Sequence, residues 1–168
     1  MERYQWAKTI FFILFIIGII HSVYYYPRLP EQVAIHFGAD GRPDGWGSRE
    51  FFVTFNIVLY VFIYFLFRFI RKVPKEFVNM PHRAYWFAPE REEQTRKDLG
   101  FFLDLIGIFT LILILYLDEK IYNLNLQSTG QGMPYFFIAI VLYMALVTGS
   151  VIWFYVYFNR IKSDKNSE

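Results

Sequence analysis

Four runs of apolar residues, each near the length of a membrane span and almost free of charge, constrain this chain more than any other feature. They cover Thr9–Tyr26, Phe51–Ile70, Leu99–Leu117 and Tyr135–Phe158. A helix needs about 20 such residues to cross the hydrocarbon core. The residues are blocked into runs rather than spread at helical or strand period, which is how membrane spans read. Composition agrees: 55% hydrophobic and 22% aromatic, with 20 Phe and 13 Tyr, is too apolar for an ordinary soluble domain. The first run has a rival reading as a cleaved signal peptide. It leaves through Tyr24, Tyr25 and Tyr26, an interfacial aromatic belt rather than a small-x-small cleavage site, so an uncleaved anchor is expected. The expected fold is an all-α membrane protein, a single four-span domain over residues 1–168.

Charge sets the expected orientation. Arg3, Lys8, Arg68, Arg71, Lys72, Lys75, Arg83, Arg91, Arg96, Lys97, Arg160, Lys162 and Lys165 fall on one side of the four spans, 13 of the 17 cationic residues. Arg28, Arg42, Arg49 and Lys120 make up the 4 on the other. The side rich in Lys and Arg stays in the cytoplasm, so both termini and the connection 71–98 are expected there. The connections 27–50 and 118–134 then lie outside, and the location is a bacterial cytoplasmic membrane. A net charge of +2 gives no nucleic-acid footprint. With no Cys in the chain, disulfides, thiolate metal sites and Cys nucleophiles are excluded.

The outer connection 27–50 holds the least apolar stretch of the front half. In "EQVAIHF", Val33, Ile35 and Phe37 alternate with Gln32, Ala34 and His36, a strand pattern. The following "GADGRPDGWGS" is dense in turn formers, and Ser48 is placed to cap the second span. In connection 118–134, Tyr122, Leu124 and Leu126 alternate with Asn123, Asn125 and Gln127, before turn residues from Thr129 to Pro134. One short strand from each outer loop is therefore expected, the two pairing into a small extracytoplasmic β-ribbon. A lone ribbon is marginal in water, so it needs to pack on the helix ends, with Trp46 and Met133 as candidate packing residues.

Inside, Tyr85, Trp86 and Phe87 suit the membrane interface. Pro89 is suited to a first helical turn, followed by Glu90, Arg91, Glu92 and Glu93. Glu92 with Arg96 and Glu93 with Lys97 stand four apart in the favourable order. A helix running from Pro89 to Leu117 would be about 43 Å long, a third of it clear of the bilayer. The tail 159–168 is expected to be disordered.

The residues "YYPRLPEQVAIHFGADGRPDGWGSR", Tyr25 to Arg49, resemble a bacterial domain of unknown function named for its place at the N-terminus of SdpI-type membrane proteins. Those proteins confer immunity to a secreted toxin and take part in its signalling. The resemblance is carried by the Tyr-Pro pair, Leu29-Pro30, Ile35-His36-Phe37, Gly41, Pro43 and Asp44-Gly45, then a small residue before a basic one. The segment "MPHRAYWFAPEREEQT", Met80 to Thr95, also looks like an element of stand-alone members of the group. The resemblance covers roughly the first 100 residues, and SdpI itself has additional spans. It implies a shared extracytoplasmic module rather than a shared task.

No catalytic or metal constellation is visible. A Ca²⁺ loop counted from Asp40 would put Arg42 and Phe51 at ligand positions, where acids are needed, and no zinc spacing exists. His36 ties its loop to backbone carbonyls, with Asp44 capping a turn, or belongs to a binding surface made of His36, Asp40, Asp44, Trp46 and Arg49, or is a metal ligand, for which Asp40, Asp44 and His21 would be the nearest partners. Asp104 in the third span is a functional candidate by its depth, or lies near the interface and meets Arg96 or Arg68. His21 and Asn56 more often serve helix-to-helix hydrogen bonds. Tyr85, Trp86, Pro89, Glu90 and Arg91 form the candidate interfacial segment. The expectation is a non-enzymatic protein without cofactor, held in the lipid bilayer, whose outer loop binds a partner such as a secreted peptide. The alternatives are an accessory subunit of a larger membrane complex, and a small transporter or channel using Asp104 and Asn56.

Overall fold

The computed structural model describes residues 4–38, 42–127 and 135–160. Helix α1 covers Gln5–Tyr25, followed by a turn of 3₁₀ helix at Tyr26–Arg28; strands β1 (Gln32–Phe37) and β2 (Pro43–Ser48) come next. Helix α2 covers Arg49–Ile70, a short α3 Arg83–Trp86, α4 Glu92–Gln127 and α5 Phe136–Phe158. Among the described residues, α1, α2, α4 and α5 are the four helices long and apolar enough to cross a membrane. At 36 residues, α4 is about 54 Å long, well beyond the ~30 Å of a hydrocarbon core.

Helices α1, α2 and α4 pack against one another, and α5 lies mainly on α4. The shared core is Ala7, Phe11, Tyr60, Ile63, Phe101, Leu105, Ile108 and Leu111. Two glycines let the helices approach. A Cβ on Gly18 would stand 2.3 Å from the Tyr60 ring, and one on Gly107 would stand 2.7 Å from Phe11. At the end away from the hairpin, Asp98 ties three elements together. It accepts from the hydroxyls of Tyr4 (2.5 Å) and Tyr157 (2.8 Å). The connection after α2 folds back over the end of α5, burying Met80 and Phe87 with Phe102 and Phe158. Ser48 caps α2 as expected, its Oγ accepting from Phe51 N–H at 3.1 Å, and Glu50 and Arg68 sit at the ends that suit the helix dipole.

The ribbon differs from expectation. Both strands come from the connection 27–50: β1 pairs antiparallel with β2, and the segment rich in turn formers supplies the second strand. The residues Tyr122 to Gln127, expected to be extended, continue α4. An alternation six residues long does not exclude a helix, and here the face shared by Tyr122 and Asn125 decides. Tyr122 is fully buried against Leu29, Val33, Phe52 and Val53. The Asn125 amide accepts from Ala34 N–H (2.7 Å) and donates to Ala34 C=O (3.3 Å). A side-chain amide thus does for β1 what a neighbouring peptide group would do. The third apolar helix accordingly runs past Leu117 rather than ending there. At its start, Pro89 and Glu90 lie in a turn and the helix begins at Glu92, three residues later than expected. The turn residues Thr129 to Pro134, Met133 included, lie outside the described residues.

Glycine explains why β2 does not look like a strand. A Cβ on Gly45 would stand 2.9 Å from the His36 Cβ, and one on Gly47 would stand 2.8 Å from the Ile35 side chain. The β1 side chains cross over β2 at these two positions; at Gly45 the atom met is the fixed His36 Cβ, so glycine is required there, while at Gly47 it is the end of the Ile35 side chain. A register irregularity between Ala34 and His36 breaks the alternation, as a bulge does. Val33 and Ala34 are both buried, while Ile35 turns outward.

Candidate functional site

The hairpin is fastened at several points. Leu29 and Val33 sit in the core beside Tyr122. Arg49 donates to the Leu29 carbonyl at 2.9 Å and its own N–H bonds to Glu31 C=O at 3.0 Å. Its guanidinium stands 5.0 Å above the Tyr26 ring. On this support three of the five binding candidates of the connection 27–50 point away from the helices. His36 Nδ1 meets the Asp44 carboxylate across the strands, with both side chains mostly in solvent. Trp46 is 61% exposed, so it does not pack on the helix ends as expected. Arg49 is a structural brace, and Asp40 lies outside the described residues. The bonding of His36 to Asp44, rather than to backbone carbonyls, leaves the pair available on the surface.

Beneath the hairpin, a chain of polar groups descends between α1, α2 and α4. His21 Nε2 lies 2.9 Å from Glu119, which also accepts from Tyr25 (3.0 Å) and Asn123 (2.7 Å). Tyr122 stacks on Tyr25, ring centroids 4.6 Å apart, and its hydroxyl accepts from Asn56 at 3.2 Å. One turn deeper, the Tyr60 hydroxyl donates to Asp118 at 2.7 Å, both groups buried. His21 and Asn56 therefore do serve interhelical bonding. Their partners are Glu119 and Tyr122. Tyr60 in the second span carries no local signal of its pairing with Asp118; Asp118, Glu119 and Tyr122 lie beyond Leu117, where the sequence places the end of the third span. The signal was there: Asp118, Tyr122 and Asn125 follow at i, i+4 and i+7, one helix face.

Asp104 sits at the opposite end of α4, about 21 Å from Asp118 along the axis. It is 1% exposed, contacts Arg71 and lies 3.6 Å from Arg68. Of the two cationic partners expected for it, Arg68 is present. Arg96 instead pairs with Glu92 at 2.9 Å. Glu93 reaches Lys97 at 2.8 Å, as its spacing predicts. In the inner segment, Trp86 donates to Phe158 C=O at 2.7 Å and Thr95 donates to Trp86 C=O at 2.6 Å. Arg91 lies over the Tyr85 ring at 4.0 Å and pairs with Glu90 at 2.9 Å. Trp86 thus clasps the end of α5 to the start of α4, while Tyr85, Glu90 and Arg91 brace one another and Pro89 lies in the turn between them. Among the described residues no group of three His, Asp or Glu side chains is placed to hold a metal ion.

Residues 13–62 match a family model described as a domain of unknown function, DUF1648. The match takes in most of α1, the whole hairpin and α2 as far as Phe62, the part of the chain in which the hairpin is built and anchored. Over 153 residues, 85% of this chain and 80% of the other, the chain is 26% identical to an uncharacterized protein of Archaeoglobus fulgidus. No solved structure matches the chain.

Proposed function

We propose that the chain is a multi-pass membrane protein without a catalytic role, whose hairpin stands on the extracytoplasmic side and binds a protein or peptide partner. The observation that carries this is the contrast within the hairpin: a backbone tied to α2 and α4 presents an exposed Trp46 beside the His36–Asp44 pair. Exposed aromatic groups on a rigid support are the usual centres of binding energy. The excess of Lys and Arg at the opposite end supports an outward hairpin in a bacterial cytoplasmic membrane. A secreted peptide, sensed or neutralised as in SdpI-type proteins, is the partner the sequence resemblance favours; another membrane subunit is the alternative. The test isolates the tagged full-length protein in mild detergent and quantifies what accompanies it, first unaltered and then as Trp46→Ala and His36→Ala. Loss of a stoichiometric companion by about tenfold or more, at unchanged abundance of the protein, is the expected result. A companion that stays bound to both variants contradicts it.

A second reading, a small transporter, is favoured by one observation: Asp118 and Tyr60 form a buried acid–hydroxyl pair in the bundle interior, where ionisable groups mark ion or proton paths. Asp104, matched by two arginines, is the less suited of the two acids. Liposome flux abolished by Asp118→Asn supports transport; absence of any flux in the unaltered protein removes it.

A further inference from the structure

We propose that the groove between the end of α2, the start of α4 and the second half of α5 binds one anionic phospholipid, acyl chain inside and phosphate at Arg71 and Arg96. The inference rests on the chain being a membrane protein and is independent of what the hairpin binds. The groove has a volume of about 270 Å³ and an almost wholly apolar wall that includes Val78, Phe102, Val151 and Phe154, with Arg71 and Arg96 as its cationic members. It lies at the end of the bundle opposite the hairpin, where the Lys and Arg residues concentrate.

Charge decides the headgroup. Both arginines share their acid with a second cation: Asp104 serves Arg68 and Arg71, and Glu92 serves Arg96 and Lys75. Four cations thus meet two carboxylates, leaving the rim of an apolar groove positive. Arg71 Nε is also buried without a hydrogen-bond partner, a donor left over after Asp104 and the Gly100 carbonyl are satisfied. Basic pockets between helices at the cytoplasmic surface suit anionic headgroups. The apolar wall calls for a chain as well, which free phosphate lacks.

The test is native mass spectrometry of the full-length protein after exchange into micelles doped with phosphatidylglycerol or with phosphatidylcholine of the same chains. One phosphatidylglycerol should be retained in preference to phosphatidylcholine. Arg96→Gln, which spares the Asp104 cluster, should lower that preference about five-fold, the effect of one cation at a membrane surface. Val151→Trp, which fills the groove from α5, should abolish retention of either lipid. Equal retention of the two lipids, an unchanged preference in Arg96→Gln, or full displacement by millimolar inorganic phosphate would each overturn the assignment.

Discussion

Gly18 lacks a side chain where the Tyr60 ring takes up the space, while Gly149, on the outward side of α5, has nothing within 4 Å of the position its Cβ would take. The two glycines look alike in the sequence and are opposite in consequence. Replacing Gly18 by Ala drives a methyl group into a buried ring whose hydroxyl is committed to Asp118, so both the packing and the hydrogen bond must shift. Overpacking of this kind costs roughly 1–3 kcal/mol. Gly149→Ala should cost nothing, since Ala is the better helix former by about 1 kcal/mol. Thermal midpoints of the two variants in one detergent give the comparison; a Gly18→Ala protein as stable as the parent would contradict the α1–α2 packing described here.

Among the elements, β1 depends on α4 through one residue. Asn125 supplies both a donor and an acceptor to Ala34, so Asn125→Ala should cost about 1 kcal/mol and speed hydrogen exchange across Gln32–Phe37 while leaving α1 and α2 protected. Unchanged exchange in β1 would show that the hairpin holds without α4. The same contact marks the limit of what was legible in the sequence. Four apolar helices, the Ser48 cap, the Glu92–Arg96 and Glu93–Lys97 pairs and the continuity of α4 with its polar start all follow from local spacing. The strand β2 did not, because its glycines serve the close passage of His36 and Ile35 rather than any propensity of their own. The end of α4 did not either: six alternating residues carry no information on whether Asn125 will find another helix or a strand edge. Within the site, His36, Asp44 and Trp46 were visible by composition. The pairing of Tyr60 with Asp118 links positions 58 residues apart, which no local pattern records.

Over the whole molecule, the two ends of the bundle differ in kind. One end carries the hairpin, closed by aromatic stacking of Tyr25 on Tyr122 and by the His21–Glu119 contact. The other carries paired arginines, the clasp of Trp86 on Phe158 and the basic groove. Between them α5 stays exposed along most of its length, with Phe137, Val141, Leu142 and Ile152 all facing outward, as expected of a surface solvated by lipid rather than water. The account therefore stands on the hairpin end facing out of the cell and the arginine end facing in. The chain contains no Cys, so one introduced thiol reports one position. The most direct measurement is labelling of Asp44→Cys and Glu93→Cys proteins with a membrane-impermeant maleimide, in intact and in permeabilised cells. The account predicts that Asp44→Cys reacts in intact cells and Glu93→Cys only after permeabilisation. The reverse pattern would place the hairpin in the cytoplasm and contradict the proposal that it meets an extracytoplasmic partner.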